Sequence, residues 1–121
     1  MKSCLIVDDS KVIRMVAKKI LTELSFATVE AEDGQVALDA CKKAMPDAVL
    51  LDWNMPVMNG IDFLRELRKL PEGGKPVVVF CTTENDIEHI QEAISAGANE
   101  YIMKPFDSEI LQTKFAQVGL L

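Results

Sequence analysis

The sequence predicts an α/β fold in which a parallel β-sheet carries helices on both faces. Short apolar runs alternate with amphipathic stretches through the whole chain, and this alternation is typical of parallel sheets built from strand-helix units. The chain has 121 residues, enough for one packed core, and 49% of them are hydrophobic, which argues against disorder. We therefore expect a single domain over residues 1–121.

Five short runs have the apolar character of strands. In chain order they are residues 4–7, 27–31, 48–51, 77–81 and 100–103. The first, third and fourth are apolar throughout, as expected for strands that are buried on both faces. The second and fifth include polar residues, among them Thr28 and Glu30, and fit the edges. This distribution predicts the strand order 2-1-3-4-5 of the flavodoxin-like, doubly wound (βα)5 class.

A stretch with helical character follows each strand, over residues 11–24, 35–45, 61–70, 86–96 and 108–118. Apolar residues at helical spacing predict the buried stripe of the first helix, formed by Val12, Ile13, Val16, Ile20, Leu21 and Leu24. Asp33 can cap the second helix, and the dipeptide Asn59-Gly60 leads into the third. Thr83-x-x-Asp86 resembles a capping box, and Gly97 ends the fourth helix. Residues 71–76 have the composition of a loose linker.

Polar residues stand at the carboxyl ends of the strands, where sheets of this class bind their ligands. Their places are Asp8 and Asp9 after the first strand, Asp52 after the third, Thr82 after the fourth and Lys104 after the fifth. Neighbouring strands lie about 4.8 Å apart, so the three aspartates should share one small volume. Crowded carboxylates repel one another, and a hard divalent cation such as Mg²⁺ would resolve the conflict.

Charge counting suggests what this pocket can receive. Three aspartates and one lysine sum to −2, and a divalent cation would bring the pocket to neutrality. A phosphoryl group adds about −2 at neutral pH, so the pocket should accept one only with the metal present. The alternative is that these residues are helix caps and solvated loop acids, with Asp9 capping the first helix. The coincidence of three acids, a threonine and a lysine at one edge outweighs that interpretation.

Composition excludes several other functions. The net charge of −6 argues against nucleic-acid binding, and no stretch approaches a signal peptide or the roughly 20 apolar residues of a membrane span. We expect a cytoplasmic protein without membrane insertion. Cys4, Cys41 and Cys81 are widely spaced and should be buried thiols, while His89 should lie at the surface. Glycine-rich nucleotide motifs and a nucleophilic serine elbow are absent from the sequence.

Four motifs resemble the receiver domains of two-component response regulators, and among these the chemotaxis CheY-like proteins. The motifs are Val7-Asp8-Asp9-Ser10, the run from Asp52-Trp53-Asn54-Met55-Pro56 to Asn59-Gly60, Thr82-Thr83-Glu84, and Tyr101-Ile102-Met103-Lys104-Pro105-Phe106. The resemblance covers nearly the whole chain. It implies that the protein is fed by a histidine kinase or a phosphotransfer protein.

The resemblance implies a role for each matching position. Asp8, Asp9, Asp52 and the backbone carbonyl of Asn54 would hold Mg²⁺, and Asp52 would be the phospho-acceptor. Lys104, before a cis peptide bond to Pro105, would pair with the phosphoryl group. Thr82 would move toward that group and Tyr101 would turn inward with it, although Tyr101 could also be a plain edge-strand aromatic. Polar residues at Asn54 and Glu84 predict a short-lived aspartyl phosphate.

The sequence departs from the family pattern on the side that carries its output. The resemblance implies an output face that includes Ile87, Ile90, Gln91, Tyr101 and Lys114. Asn85-Asp86-Ile87-Glu88 stands where motor-binding relatives carry lysines, and Thr83 replaces a smaller residue. The target could therefore be a flagellar motor component, a kinase component or another protein. We expect a monomer without an output domain, because the chain ends directly after the last predicted helix.

Three other functions remain open from the sequence. The chain could be a phosphate shuttle or sink in another phosphorelay. It could be a Mg²⁺-dependent phosphatase with an aspartate nucleophile, although Asn54 occupies the place of the second acid that such enzymes need. It could also be a phosphorylation-independent adaptor, against which the complete set of site residues argues.

Overall fold

Strands and helices alternate along the chain in the computed structural model, which describes residues 1–83 and 87–121, with the backbone only for Thr83 and Ile87. The strands are β1 (Ser3–Val7), β2 (Ala27–Ala31), β3 (Ala48–Asp52), β4 (Val77–Thr83) and β5 (Glu100–Lys104). The helices are α1 (Lys11–Glu23), α2 (Gly34–Lys43), α3 (Gly60–Lys69), α4 (Ile87–Ala96) and α5 (Ser108–Gln117). Within the described ranges, no helix is long and apolar enough to cross a membrane.

The five strands form one parallel sheet in the order β2-β1-β3-β4-β5, which confirms the predicted order and fold class. All residues of β3 are buried, in keeping with its central place and apolar sequence. The register pairs Val7 with Leu51, and Asp52 with Cys81. The carboxyl ends of β1, β3 and β4 therefore lie at a common edge, and the residues that follow them converge there.

Two apolar clusters cover the two faces of the sheet. One packs α2, α3 and α4 around Phe63 and Phe80, and the other packs α1 and α5 around Phe26 and Phe115. The rings of Phe26 and Phe115 meet edge to face, with centroids 5.5 Å apart. Cys4, Cys41 and Cys81 are free, buried thiols, as predicted from their apolar surroundings.

The buried face of α1 differs from the predicted stripe. Ile20 and Leu21 are buried with Ala17, but Val12 and Val16 are 67% and 44% exposed. The prediction counted every apolar side chain at helical spacing, whereas the sheet covers only a narrow sector of the helix. Val12 and Val16 lie outside that sector, so periodicity located the helix but not the limits of its buried face.

Two residues that were predicted to mark helix ends do so in the structure. Asp33 caps α2 through a 2.8 Å hydrogen bond from the Val36 amide, as predicted. Gly97, which follows α4, has a φ of 115°, a conformation that favours glycine. The proposed capping box of Thr83 and Asp86 lies outside the described residues.

The segment 71–76 is not the loose linker that its composition predicted. The guanidinium of Arg68 donates hydrogen bonds to the carbonyls of Gly73 and Pro76, both at 2.9 Å. It also donates to the carbonyl of Gly97 at 2.6 Å and so ties the segment to the end of α4. A proline- and glycine-rich composition does not reveal that a distant arginine will satisfy these carbonyls.

Gly60 brings α3 against the strand that ends in Asp52. The Gly60 amide donates to the Trp53 carbonyl at 2.9 Å, and a Cβ at position 60 would lie 2.1 Å from the Asp52 carbonyl oxygen. Since that neighbour is backbone, it cannot rotate away. The absence of a side chain at Gly60 thus allows the close approach of the first turn of α3 to β3.

We predict that Gly60→Ala lowers the free energy of unfolding by about 1–3 kcal/mol, because the new methyl group displaces β3 or α3. The clash has to overcome the helix propensity of alanine, which by itself favours the variant by up to about 1 kcal/mol. Urea unfolding measures the change. Gly74→Ala is the control, because a Cβ there meets nothing within 4 Å. Equal stability of the Gly60 variant and the wild type would contradict the packing argument.

Candidate functional site

Asp8 is held rigidly at the end of β1. Its amide donates to the Ala31 carbonyl of β2 at 3.1 Å, and its Oδ1 accepts a 2.9 Å hydrogen bond from the Ser10 amide. The Arg14 guanidinium donates to the Asp8 carbonyl at 2.7 Å. The residue is only 3% exposed. These bonds fix the backbone and one carboxylate oxygen, and Oδ2 faces the site.

Asp9 is exposed and does not cap α1, which corrects the alternative interpretation of this residue. The cap is Ser10, whose Oγ accepts a hydrogen bond from the Ile13 amide at 3.3 Å. Since the helix is capped without Asp9, no structural role in the described contacts competes with a role in the site. Serine and aspartate both cap helices well, so adjacent candidates could not be separated from the sequence.

Asp52 completes a cluster of three carboxylates. Ligand atoms of Asp8, Asp9 and Asp52 all lie within 4.8 Å of one another. Asp8 and Asp52 are buried, and Asp9 is open to solvent. The donors are all carboxylate oxygens, the type that Mg²⁺ and other hard cations prefer. The cluster fits a divalent cation that enters from the side of Asp9.

Lys104 reaches into this cluster from β5. Its Nζ lies 2.6 Å from Oδ2 of Asp8 and 3.1 Å from Oδ1 of Asp52, so one ammonium group bridges the two buried carboxylates. Burial alone would lower the Lys104 pKa, but the hydrogen bond to Asp8 and the charges of Asp52 and Asp8 outweigh burial and hold the pKa above its usual value. Lys104 therefore stays cationic and partly compensates the aspartates.

The compensation is incomplete at Asp52. Burial raises the pKa of Asp52 from 3.8 to about 6; the charge of Lys104 opposes this shift, and the charges of Asp8 and Asp9 add to it. The rise means that the negative form of Asp52 is unfavourable in the metal-free pocket. A further positive charge beside Asp52 would relieve this cost, which supports the interpretation of the cluster as a cation site.

Two surface grooves lie away from the aspartates. One runs along α1 and β2, past Lys11, Lys18 and Glu30, and another lies between α2 and β2, beside Val29 and Val36.

Asn54 follows in the loop after β3, and its side chain is exposed. On the other side of the site, the peptide bond between Lys104 and Pro105 is cis. Asn54 follows Asp52 by two positions, and Pro105 directly follows Lys104. The assignment of the Asn54 carbonyl as a metal ligand stays a prediction.

Thr82 and Tyr101 lie on neighbouring strands. Thr82 is fully buried near the end of β4, and the register pairs Phe80 with Tyr101. Since side chains alternate along a strand, Thr82 points to the same face as Phe80, and Tyr101 packs against the apolar cluster on that face. This geometry is compatible with a shared movement of Thr82 and Tyr101.

The exposed end of Tyr101 is part of a charged cluster that the sequence did not predict. Lys114 Nζ lies 5.2 Å from the centre of the Tyr101 ring and 3.5 Å from Oε1 of Glu100. Glu100 was not among the predicted site residues, because nothing in a strand pattern shows that the single lysine of α5 will reach it. Ile90 is half-buried and Gln91 exposed on α4. The Ile87 side chain and Glu84, Asn85 and Asp86 lie outside the described residues.

His89 is not the plain surface residue that its polar surroundings predicted. Its ring stacks on Trp53, with ring centroids 3.7 Å apart and an angle of 24° between the planes. Trp53 directly follows Asp52, whereas His89 lies on α4. A contact between residues 36 positions apart has no signature in local sequence, so only the fold could reveal it.

Comparison with known proteins assigns this arrangement to a family. The family model described as response regulator receiver domain matches residues 4–116. The chain is 44% identical over 115 residues to chemotaxis protein CheY-3 of Vibrio cholerae, covering 94% of this chain and 88% of that protein. It is 39% identical to chemotaxis protein CheY of Pseudomonas aeruginosa, over 94% of this chain and 93% of that protein. The crystal structure of CheY4 of V. cholerae superposes with a TM-score of 0.92 at 34% identity, covering 98% of both chains.

We predict that Mg²⁺ stabilises the protein through the carboxylate cluster. At ten times its dissociation constant, a ligand of the folded state adds about 1.4 kcal/mol to the free energy of unfolding. Urea unfolding with MgCl₂, against NaCl at equal ionic strength, measures the gain. Asp9→Asn should abolish most of it, whereas Glu23→Gln, which removes an exposed charge at the far end of α1, should retain it. A gain of the same size in the Asp9 variant would contradict the site.

A second prediction concerns pH in metal-free protein. Because the Asp52 pKa is about 6 in the folded protein and near 3.8 when exposed, the folded state binds more protons between these values. The Asp52 contribution to stability is therefore lost as the pH rises through this window. Asp52→Asn cannot ionise, so its stability relative to wild type should improve by about 1–3 kcal/mol between pH 4 and pH 7.

Urea unfolding in EDTA at several pH values measures this difference. Comparing the change with pH, rather than stability at one pH, removes the constant effect of replacing a carboxyl by an amide. A constant difference between variant and wild type over the whole range would show that Asp52 ionises without cost.

Proposed function

Since the chain belongs to the family of response regulator receiver domains, we propose that it is a phosphorylation switch in which Asp52 accepts a phosphoryl group from a histidine kinase or phosphotransfer protein. The observation that carries this proposal is the raised pKa of a buried Asp52 beside two further aspartates and Lys104. An aspartate whose charge is poorly compensated is poised to gain both a cation and a phosphoryl group whose charge the cation offsets.

Each group of the site has its own role in the transfer step. An Asp52 carboxylate oxygen attacks the phosphorus of the phosphohistidine, the P–N bond breaks, and the histidine leaves with a proton from solvent. The product is an acyl phosphate on Asp52. Mg²⁺, held by Asp8, Asp9, Asp52 and the Asn54 carbonyl, would neutralise oxygens of the transferring group. At neutral pH most Asp52 side chains are ionised, as attack requires, because the pKa of about 6 lies below 7.

We expect Lys104 to compensate negative charge both in the resting site and in the phosphorylated site. In the resting site its ammonium bridges Asp8 and Asp52. Once Asp52 is esterified, we expect the same ammonium to pair with a phosphoryl oxygen, because this oxygen then bears the charge that the carboxylate has lost. Thr82, buried on the adjacent strand, would donate its hydroxyl to another oxygen.

The output would pass from Thr82 to Tyr101 and on to the face of α4, β5 and α5. In support, Thr82 and Tyr101 share one side of the sheet, and Tyr101 is half-exposed beneath Lys114. The proposed face comprises Ile87, Ile90, Gln91, Tyr101 and Lys114. Glu88 is exposed in the first turn of α4, and Glu100 pairs with Lys114, so this face carries little net positive charge. The partner should therefore rely less on acidic groups than a partner of a lysine-rich face would.

Chemotaxis is the pathway that we propose, because the relatives include CheY proteins of V. cholerae and P. aeruginosa. The direct target would be a flagellar motor component or a kinase component. A phosphate shuttle or sink would use the same chemistry at Asp52 without the output face. Tyr101→Ala separates these functions, because it should abolish phosphorylation-dependent binding of the target and leave the phosphorylation of Asp52 intact.

We predict that a small phosphodonor with Mg²⁺ adds one phosphoryl group to the wild type and none to Asp52→Asn, as measured by intact mass. Asp9→Asn should slow the reaction at least tenfold, because the metal site loses a charged ligand, whereas Glu23→Gln should react normally. The phosphoryl group should be lost within minutes in Mg²⁺, since polar residues at Asn54 and Glu84 favour access of water. Modification of Asp52→Asn, or turnover of simple phosphate esters without a stable adduct, would refute the proposal.

A further inference from the structure

Few of the described side chains of helix α4 are buried. Among its described side chains only Ala93 is buried, and Ile90 and Ala96 are half-buried. An ion pair of Arg65 on α3 with Glu92 spans 3.2 Å, but both side chains are about half exposed, at 49% and 47%. An ion pair this exposed adds little to stability. Apart from the hydrogen bonds of Arg68 to the Gly97 carbonyl at its end, the described contacts of α4 bury little apolar area.

The stack of Trp53 on His89 is the one aromatic contact found between α4 and the rest of the described structure. Aromatic pairs stabilise a contact beyond the area that they bury. Ala93 is the one buried residue among the described side chains of α4, so the stack is a substantial part of the anchoring that the described contacts provide. The stack is also a contact between two large, rigid rings, so small displacements of one partner weaken it.

Trp53 connects this anchor to the proposed phosphorylation site. It is bonded to Asp52 through one peptide link, and its carbonyl accepts a hydrogen bond from Gly60 at 2.9 Å. Leu51 packs in the apolar cluster beneath α3 and α4, and the Trp53 ring packs against the same cluster. Side chains alternate along a strand, so Asp52 and Trp53 leave the end of β3 toward opposite faces. Trp53 is therefore bonded to Asp52 on one side, and its ring contacts His89 of α4 on the other.

We infer that the Trp53–His89 stack positions α4 in the resting protein and couples it to Asp52, with His89 as a positioning residue for the switch. The coupling is a second connection, separate from Thr82 and Tyr101, which act through β4 and β5. It ends on α4, at the edge of the face that carries Ile90 and Gln91. Its role in signalling rests on the proposed function, whereas its role in anchoring α4 does not.

The anchoring role is tested by amide hydrogen exchange on metal-free, unphosphorylated protein. His89→Ala should speed exchange in α4 about 2- to 10-fold and leave α5 unchanged. His89→Phe keeps a ring over the indole and should restore slow exchange. Ser95→Ala, at an exposed position of the same helix, controls for the high helix propensity of alanine and should not speed exchange. Unchanged α4 exchange in His89→Ala, equal acceleration in α5, or no rescue by phenylalanine would overturn the inference.

The coupling is tested through Trp53, the single tryptophan of the chain. Quenching of its fluorescence by acrylamide reports whether the indole is covered. Phosphorylation by a small donor with Mg²⁺ should raise the quenching constant in the wild type and speed α4 exchange. In His89→Ala the indole should already be uncovered, so phosphorylation of Asp52, checked by intact mass, should change neither signal further.

The outcomes separate the two proposals. If His89→Ala is phosphorylated and α4 exchange still responds as in the wild type, the coupling is wrong although the phosphorylation switch stands. If the wild type accepts no phosphoryl group, the proposed function and the coupling both fail, and the exchange of unphosphorylated variants alone decides whether the stack anchors α4.

Discussion

Two buried carboxylates, Asp8 and Asp52, face one ammonium group, Lys104, and this imbalance of charge is the constraint on which the site depends. The ion pairs of Lys104 join the ends of β1, β3 and β5 at one point. Burial nevertheless leaves Asp52 with a raised pKa. Full neutralisation by protein groups would make a more stable pocket with nothing left to bind. The unmet negative charge is therefore the property that a cation and a phosphoryl group can use.

The sheet supplies the rigidity that this arrangement needs. β1 and β3 are almost entirely buried between two layers of helices, so the carboxylates at their ends have little freedom to move apart. Hydrogen bonds from Ser10 and Arg14 fix Asp8, and the close approach of Gly60 fixes the backbone at Asp52. The packing of the core, which is far from the site, therefore keeps the carboxylates close together despite their mutual repulsion.

The side of the molecule toward α4 and β5 is held less rigidly. The described contacts there include an aromatic stack, exposed or half-exposed ion pairs and a cation over a tyrosine ring, each worth about 0–1.5 kcal/mol. Contacts of this size can be exchanged at small cost, whereas those of the central strands cannot. A rigid acidic centre beside a lightly held helix is the combination that a two-state switch requires, because the bias between states need only be a few kcal/mol.

The sequence by itself determined the strand order, the edges of the sheet and the gathering of Asp8, Asp9, Asp52 and Lys104 at one end, because apolar runs and strand ends are local features and parallel sheets obey few topological rules. It could not determine the limits of the buried face of α1, that Ser10 rather than Asp9 caps this helix, or that Arg68 ties down residues 71–76. The tertiary structure alone decided that Lys104 bridges Asp8 and Asp52, that Glu100 meets Lys114, and that His89 stacks on Trp53. These contacts join residues distant in the chain, and their existence depends on distances that only the packed sheet and helices set.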